Sequence, residues 1–168
     1  MRIILVGTNH AHQFVNHKDG DHENFANYLK KVYQEENVEL IAEELSEEAI
    51  LKWCAADSTA RKLANENGIQ HLFCDPNKKE RVALGILDYE QLKIKNGWNN
   101  VTPEQHTFLL NEEKKYWPAR ENYWLEKILS ANFQNCLFII GASHVTQFSN
   151  LISSKGHVCE VIIERWNP

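Results

Sequence analysis

Five short runs rich in β-branched and other apolar residues alternate with helical patterns along the chain. The runs are Arg2–Val6, Val38–Ala42, Gln70–Cys74, Asn135–Ile140 and His157–Ile163. The segments between them repeat apolar residues three and four positions apart, as Phe25, Leu29 and Val32 do. Because successive parallel strands need right-handed crossovers, usually through a helix, this alternation predicts an α/β fold with a mainly parallel central sheet flanked by helices on both faces.

The length of 168 residues predicts a single domain over residues 1–168. It also excludes an eight-stranded α/β barrel, which needs about 200 residues or more. Helical patterns occupy Asp21–Glu36, Ser46–Ala55, Thr59–Asn67, Pro76–Asn96, Ala119–Ala131 and His144–Ser154, with a further helix start at Thr102. Residues 88–118 contain the most hydrophilic and irregular part of the chain, and they are predicted to form either a helical insertion or lid, or an ordinary exposed helix pair.

Charge and cysteine content narrow the class of protein. Lys and Arg number 18 and Asp and Glu number 23, so the formal net charge is −5. This balance argues against nucleic acid as a partner, because non-specific binding depends on neutralising phosphates.

No apolar run reaches the length of a secretory leader or a membrane helix, so we expect neither. The cysteines, Cys54, Cys74, Cys136 and Cys159, form no C-x-x-C pair, which favours reduced thiols in a cytoplasmic protein.

Two G-x-x-H motifs follow apolar strands. The first is Gly7-Thr8-Asn9-His10, and the second is Gly141-Ala142-Ser143-His144. Glycine lets the chain turn sharply and brings the backbone close to whatever lies above the sheet. In open α/β sheets ligands bind outside the carboxyl ends of the strands. If the first and fourth strands are neighbours, His10 and His144 face one crevice; in the alternative interpretation each histidine merely caps a helix or bonds to the backbone.

The same edge of the sheet is predicted to receive two acids, Glu43 after the second strand and Asp75 after the third. Two imidazoles with one or two carboxylates form a ligand set that suits Zn, Mn, Fe(II) or Co. Such a metal lowers the pKa of bound water and produces a nucleophile at neutral pH, while a remaining carboxylate serves as general base. His12 forms an H-x-H pair with His10, but Phe14 stands where the metallo-β-lactamase pattern needs Asp, so His12 is predicted to be a neighbour rather than a ligand.

A basic and aromatic segment precedes the fourth strand. Arg120 and Trp124 share one face of a predicted helix. Arginine binds carboxylates and phosphates in a bidentate manner. Arg120 is therefore predicted either to hold a substrate anion or to fix Glu43 or Asp75, and the alternative is a surface arginine beside a buried aromatic stripe. Arg81 is a second basic candidate.

The order of these motifs resembles the erythromycin esterase / TraB / TIKI superfamily, in which an acid and an arginine-bearing helix lie between two G-x-x-H motifs. The resemblance spans most of the chain and is clearest over residues 120–163. It implies a metal-dependent hydrolase for some members and haem or iron handling for others. Carried over, it makes His10, Glu43, Arg120 and His144 the active-site set. The chain departs from the pattern in its shorter length and in having Ser143 where glycine is usual, and it leaves open whether Glu43 or Glu44 is the family acid.

The resulting hypothesis is a metal-dependent hydrolase that acts on a small-molecule or peptide substrate. His10, His144 and Glu43 hold the metal, Glu43 and Arg120 are catalytic, and Arg120, Asp75 and Ser143 bind the substrate. The alternative is a non-catalytic protein that binds a small molecule, haem or iron in the same crevice, with His10 or His144 as an axial ligand. A nucleotide-binding module is disfavoured because neither phosphate-binding glycine motif occurs.

Overall fold

The five predicted strands form one sheet in a computed structural model that describes residues 1–168. The strands are β1 (Arg2–Thr8), β2 (Leu40–Glu43), β3 (Gln70–Phe73), β4 (Asn135–Gly141) and β5 (Val158–Ile163). Their order across the sheet is β3-β2-β4-β1-β5, and every neighbouring pair is parallel. The predicted α/β fold with helices on both faces is thereby confirmed, and β1 and β4 are neighbours.

Nine helices connect or extend these strands. They are α1 (His10–Gln13), α2 (His22–Glu36), α3 (Glu47–Lys52), α4 (Thr59–Asn67), α5 (Lys78–Ala83), α6 (Tyr89–Lys95), α7 (Pro103–Lys114), α8 (Trp117–Leu129) and α9 (Val145–Ser154). The expected single helix over Pro76–Asn96 is wrong, because Gly85 adopts a positive φ of 66° and Asp88 starts a new capping box with Gln91. None of the nine has the combination of length and apolar composition needed to cross a membrane.

The central strands of the sheet are buried on both faces. On one face, Trp124 from α8 and Phe148 from α9 pack against Ile3 and Phe138. On the other face, α2 and α4 cover the strands with a second apolar cluster that includes Ile4 and Ile139. Because both faces of β1 and β4 are covered, these strands read as continuous apolar runs, which is typical of central parallel strands.

Residues 88–118 include two helices, α6 and α7, that contact each other. Leu92 and Leu109 are the buried residues of the two helices, whereas Ile94 and Phe108 are exposed. Tyr89 in α6 bonds to His106 in α7 through its hydroxyl at 2.8 Å. We call α6 and α7 the helical arm; whether it moves as a lid stays a prediction.

The glycine of the first motif is required by the chain's own backbone. A Cβ at Gly7 would overlap the carbonyl oxygen of Glu164, and Trp166 donates its backbone N–H to the Gly7 oxygen at 2.7 Å. We expect Gly7→Ala to lower the free energy of unfolding by about 3 kcal/mol, since the clash is with backbone that must shift. Gly85→Ala is the matched control, because its positive φ costs only about 1 kcal/mol and no atom lies within 4 Å. Equal losses for the two variants in urea unfolding would contradict this reasoning.

Candidate functional site

The pairing of β1 with β4 brings the two G-x-x-H motifs to the same edge of the sheet. Thr8 pairs with Gly141, so β1 and β4 end side by side at the same edge of the sheet. A Cβ placed on Gly141 would lie 3.1 Å from His10 Nε2 and 3.1 Å from Glu44 Oε2. The glycine therefore lets the β4 backbone approach the polar groups above it, as expected for this position.

Glu44 lies at the centre of these groups. Its Oε2 accepts a hydrogen bond from the Gly141 N–H at 2.8 Å. Its Oε1 lies 3.1 Å from the Arg120 guanidinium, 3.9 Å from His10 Nε2 and 3.8 Å from His144 Nε2. The side chain is only 2% exposed, so this carboxylate is held in place by partners on three other segments of the chain.

Glu43, the predicted ligand and base, lies elsewhere, and this corrects the sequence-based assignment. Its Oε1 accepts hydrogen bonds from the Ser58 hydroxyl and from His71 Nε2, the latter at 2.8 Å, and its Oε2 has no partner. Successive side chains of a strand point to opposite faces, so Glu43 at the end of β2 cannot share the direction of Glu44. Because Ser58 also caps α4, Glu43 links the end of β2 to α4 and, through His71, to β3. Of the two acids left open by the sequence, Glu44 is the one beside the histidines.

The Arg120 guanidinium forms hydrogen bonds with two acidic side chains of the chain itself. It donates to Asp75 Oδ1 from Nε at 3.1 Å and from Nη2 at 2.7 Å, in addition to Glu44. Asp75 also accepts hydrogen bonds from Arg81 and from the Trp124 indole N–H, the latter at 3.1 Å. Burial alone would raise the pKa of Asp75, but the charges of Arg120 and Arg81 outweigh it and hold that pKa below its usual value. Asp75 is therefore an ionised anchor for both guanidinium groups.

His144 has a carboxylate partner that the sequence-based reasoning missed. Its Nδ1 lies 2.8 Å from Glu121 Oε1, and both side chains are 5% exposed or less. A carboxylate oxygen only accepts hydrogen bonds, so an ionised Glu121 keeps the proton of a neutral His144 ring on Nδ1 and leaves Nε2 as the acceptor. The ring packs against Trp117 at a centroid distance of 4.1 Å and against the edge of Trp124 at 5.1 Å. Trp117, Glu121 and Trp124 lie four and three positions apart in α8. This helical spacing puts the glutamate on the same face as the two tryptophans, and it was the sequence signal that could have pointed to Glu121.

The remaining predicted residues differ in exposure. The His10 side chain is 46% exposed, and its Nδ1 lies 3.2 Å from Gln13 Nε2. Ser143 is exposed and its hydroxyl makes no hydrogen bond within the chain. His12 is buried, accepts a hydrogen bond from the Asp21 backbone N–H at 2.9 Å and packs on Trp166, so it stabilises the fold. We call His10, Glu44, Asp75, Arg120, Glu121 and His144 the edge cluster.

A cavity of about 680 Å³ adjoins the edge cluster at Asp75, and neither His10 nor His144 belongs to its lining. Asp75 and Arg81 belong to its lining, so the cavity is continuous with the acid that anchors Arg120. α3 supplies Ala49 to this lining, and the helical arm supplies Tyr89. Most of the remaining lining side chains are charged or polar; they include Glu48, Lys52, Lys78, Asp88, Glu90, Gln91 and Glu113. The cavity is therefore suited to a polar molecule.

The donors do not fit a divalent metal as they are placed. No three His, Cys, Asp or Glu side chains converge at metal-binding distance. The two histidines approach Glu44 Oε1, but Arg120 already donates to that oxygen and Gly141 donates to the other. A cation there would have to displace the guanidinium, and Glu43 lies outside the edge cluster. Metal dependence on Zn, Mn or Fe, like haem binding, stays a prediction for experiment.

His10, Arg120 and His144 lie at one edge of the sheet, and Glu44 rather than Glu43 lies with them. No protein-family model, no curated protein and no solved structure matches the chain.

Proposed function

We propose that this chain is a hydrolase in which His144 acts as the general base toward water and the edge cluster positions it. The observation that carries the proposal is the buried hydrogen bond between Glu121 Oε1 and His144 Nδ1 at 2.8 Å. This bond fixes the tautomer in which Nε2 accepts a proton, and a carboxylate–histidine pair of this kind is the usual arrangement of a general base. An aryl or alkyl ester of a polar small molecule is the simplest substrate, and a short peptide is the second.

In the proposed reaction, His144 and Glu121 act on water and the other members of the edge cluster hold or face the substrate. His144 Nε2 takes a proton from water as the water oxygen bonds to the substrate carbonyl carbon, and Glu121 stabilises the imidazolium that forms. The same proton then passes to the leaving oxygen as the ester bond breaks, which yields an acid and an alcohol. His10, whose side chain is 46% exposed, is the group that meets the substrate from solvent. Arg120 acts as a positioning residue because it holds Glu44 and Asp75.

The charges of the edge cluster support a base at His144. Glu44, Asp75 and Glu121 contribute three negative charges, whereas Arg120 and the adjoining Arg81 contribute two positive charges. With neutral histidines the sum is therefore one negative charge. A proton that arrives on His144 during the reaction neutralises this charge in a site of low dielectric, where that compensation is strong.

The cavity beside the edge cluster supports a small polar substrate over the alternative of haem binding. A haem offers a flat apolar macrocycle, whereas Glu48, Lys52 and Asp88 place charges along the cavity walls. Burying these charges against an apolar ring would remove their hydration without offering partners. A polar ester or peptide leaves them hydrated or hydrogen-bonded.

The state of the four cysteines is that expected in a reducing compartment. All four cysteines are free, and Cys74 and Cys136 are buried. Burial raises the pKa of the half-buried Cys159 thiol to about 11, so this thiol is mostly protonated at neutral pH. We infer a cytoplasmic location from this pattern, in keeping with the rarity of cytosolic disulfides.

The first test of the proposed function is hydrolysis without metal. Protein purified without chelator is analysed for Zn, Mn and Fe, dialysed against EDTA, and assayed on para-nitrophenyl esters and a fluorogenic peptide. We expect less than about 0.1 metal per chain and activity that changes by less than about twofold on chelation, because Arg120 occupies the oxygen that a metal would need. Stoichiometric metal that both His10→Ala and His144→Ala lose would contradict the metal-free route and restore the metal-dependent one. Absence of hydrolysis on every probe would contradict hydrolase function.

A further inference from the structure

Gln13, the last residue of α1, buries an amide group against the His10 ring. The residue is 1% exposed. Its Nε2 donates to His10 Nδ1 at 3.2 Å, which is the only hydrogen bond of this amide within the chain, and its Oε1 has no partner. Burying an amide with an unpaired oxygen costs free energy, so this amide calls for an explanation other than stability. Its one contact indicates a role toward His10.

The position of Gln13 is fixed by the backbone on both sides of it. Before it, Asn9 caps α1 by accepting a hydrogen bond from a backbone N–H of the first turn at 3.0 Å. Beside it, the hydroxyl of Thr59 in α4 donates to the preceding backbone carbonyl at 3.1 Å. After it, Phe14 forms a β-bridge with the N-cap residue of α4. Because residues three apart in a helix share a face, this segment holds the amide beside His10.

The contact with Gln13 determines which nitrogen of His10 carries the proton. An amide nitrogen only donates, so Nδ1 of a neutral His10 ring accepts and the ring proton lies on Nε2. That Nε2 lies 3.9 Å from Glu44 Oε1, whose negative charge favours the same tautomer. His144 Nε2 lies 3.8 Å from the same oxygen, but its ring proton is on Nδ1 beside the closer Glu121 carboxylate. The two rings therefore bring an N–H and a lone pair to one place.

We propose that Gln13 is a positioning residue that holds neutral His10 with its proton on Nε2, and that His10 donates this N–H to the carbonyl oxygen of the substrate. The second part rests on the proposed hydrolase function. As the water oxygen bonds to the carbonyl carbon, negative charge develops on the carbonyl oxygen and strengthens the hydrogen bond from His10. No proton is transferred at His10, because the water proton passes to His144 and then to the leaving oxygen.

The surroundings of His10 suit a hydrogen-bond donor to an oxyanion. Its side chain is 46% exposed, so a substrate can reach the ring from solvent. A free carboxylate beside the carbonyl oxygen would repel the developing charge. Glu44 is not free, since Oε1 accepts from Arg120 at 3.1 Å and Oε2 accepts from the Gly141 N–H at 2.8 Å. Its charge is therefore compensated within the edge cluster.

Nuclear magnetic resonance of the full chain tests the tautomer without any assay of activity. Long-range ¹H–¹⁵N spectra of the histidine rings are recorded at about pH 8.5, above the pKa of about 6.5 of a free imidazole. The His10 ring is assigned as the one missing from His10→Ala. We expect its proton on Nε2 in the unmodified chain. A proton on Nδ1 there overturns the proposal.

Gln13→Glu is the variant that changes the tautomer. A carboxylate only accepts hydrogen bonds, so Nδ1 of His10 should gain the proton. Gln147→Glu, at an exposed position in α9, is the matched control and should leave the His10 ring as it is in the unmodified chain. A His10 ring that keeps its proton on Nε2 alone in Gln13→Glu overturns the role of Gln13.

Gln13→Met separates positioning from stability, and it introduces no buried charge. Methionine keeps most of the side-chain volume and removes the amide, so the melting temperature should stay the same or rise. Because the tautomer is no longer fixed, kcat/KM for ester hydrolysis should nevertheless fall by about tenfold. A folded variant with the full rate overturns the role of Gln13.

A change of the substrate carbonyl isolates the donor role of His10. Sulfur accepts hydrogen bonds weakly, so the unmodified chain should prefer an ester to its thionoester. His10→Ala should lower this preference by about tenfold or more, because it lacks the donor. An unchanged preference overturns donation by His10. Absence of hydrolysis on both probes overturns the proposed function and the donor role together, whereas the ring spectra decide the role of Gln13 independently.

Discussion

Replacing Arg120 by methionine should lower the free energy of unfolding by about 3 to 5 kcal/mol at pH 7. The guanidinium is 12% exposed and its partners Glu44 and Asp75 are 2% and 10% exposed. Methionine fills much of the same volume, so the loss reports two buried carboxylates left without their main cation rather than a cavity. Urea unfolding at equilibrium measures this difference.

The pH dependence of this loss has a definite sign. Burial on its own raises the pKa of Asp75, but Arg120 and Arg81 lower it further than burial raises it. A carboxyl group whose folded pKa is below its unfolded value near 3.9 contributes stability that is present above about pH 4 and is lost as the pH falls through the folded pKa. The difference between Arg120→Met and the unmodified chain should therefore be largest at neutral pH and should shrink below about pH 4. An equal difference at pH 7 and at about pH 3 would contradict the role given to Asp75.

Arg61 provides a matched control for this substitution. It makes two ion pairs, with Asp57 and Glu47, but its side chain is 25% exposed and those partners are 26% and 66% exposed. Because exposed pairs are screened by water, Arg61→Met should cost only about 1 kcal/mol or less. A loss for Arg61→Met as large as that for Arg120→Met would show that the number of ion pairs, rather than their burial, determines the effect.

Much of the fold was predictable because its determinants are local. The strands were located to within two residues at each end, since β-branched runs and flanking glycines are visible in the sequence. The start of α7 at Pro103 was likewise marked by Thr102 and Gln105, which form the observed capping box. Which strands are neighbours is a long-range property, and the meeting of His10 with His144 could only be stated as a condition on the pairing of β1 and β4.

The observed site differs from the predicted one at residues whose placement local sequence patterns do not determine. Whether Glu43 or Glu44 faces the histidines depends on the residue at which β2 stops and on which face is then presented, and no propensity fixes that to one residue. Glu121 was missed because a glutamate in a polar stretch is normally solvated. Its burial follows from α8 packing on the sheet with Glu121 opposite His144, which the sequence alone does not reveal. Such buried ionisable groups are more frequent at functional sites than elsewhere.

Replacing His144 by alanine should lower kcat/KM for ester hydrolysis by about 10²- to 10⁴-fold, the range expected when a general base is removed. Surface imidazoles hydrolyse activated esters slowly, so the control must be another histidine. His157 precedes β5 at the opposite end of the strands from the edge cluster, and His157→Ala should retain the full rate. If His144→Ala loses no more activity than His157→Ala, His144 is not the base.

Glu121→Gln tests how His144 is held without deleting the ring. An amide can donate to Nδ1, which moves the imidazole proton to Nε2 and removes the lone pair that the reaction needs. We expect kcat to fall by about 10²-fold or more with little change in KM, because the substrate does not touch Glu121. ¹⁵N spectra of the imidazole should report the proton on Nδ1 in the unmodified chain and on Nε2 in the variant. A variant that shows this change of tautomer and keeps its full kcat would contradict general-base catalysis by His144, whereas loss of kcat without the change would contradict the role assigned to Glu121.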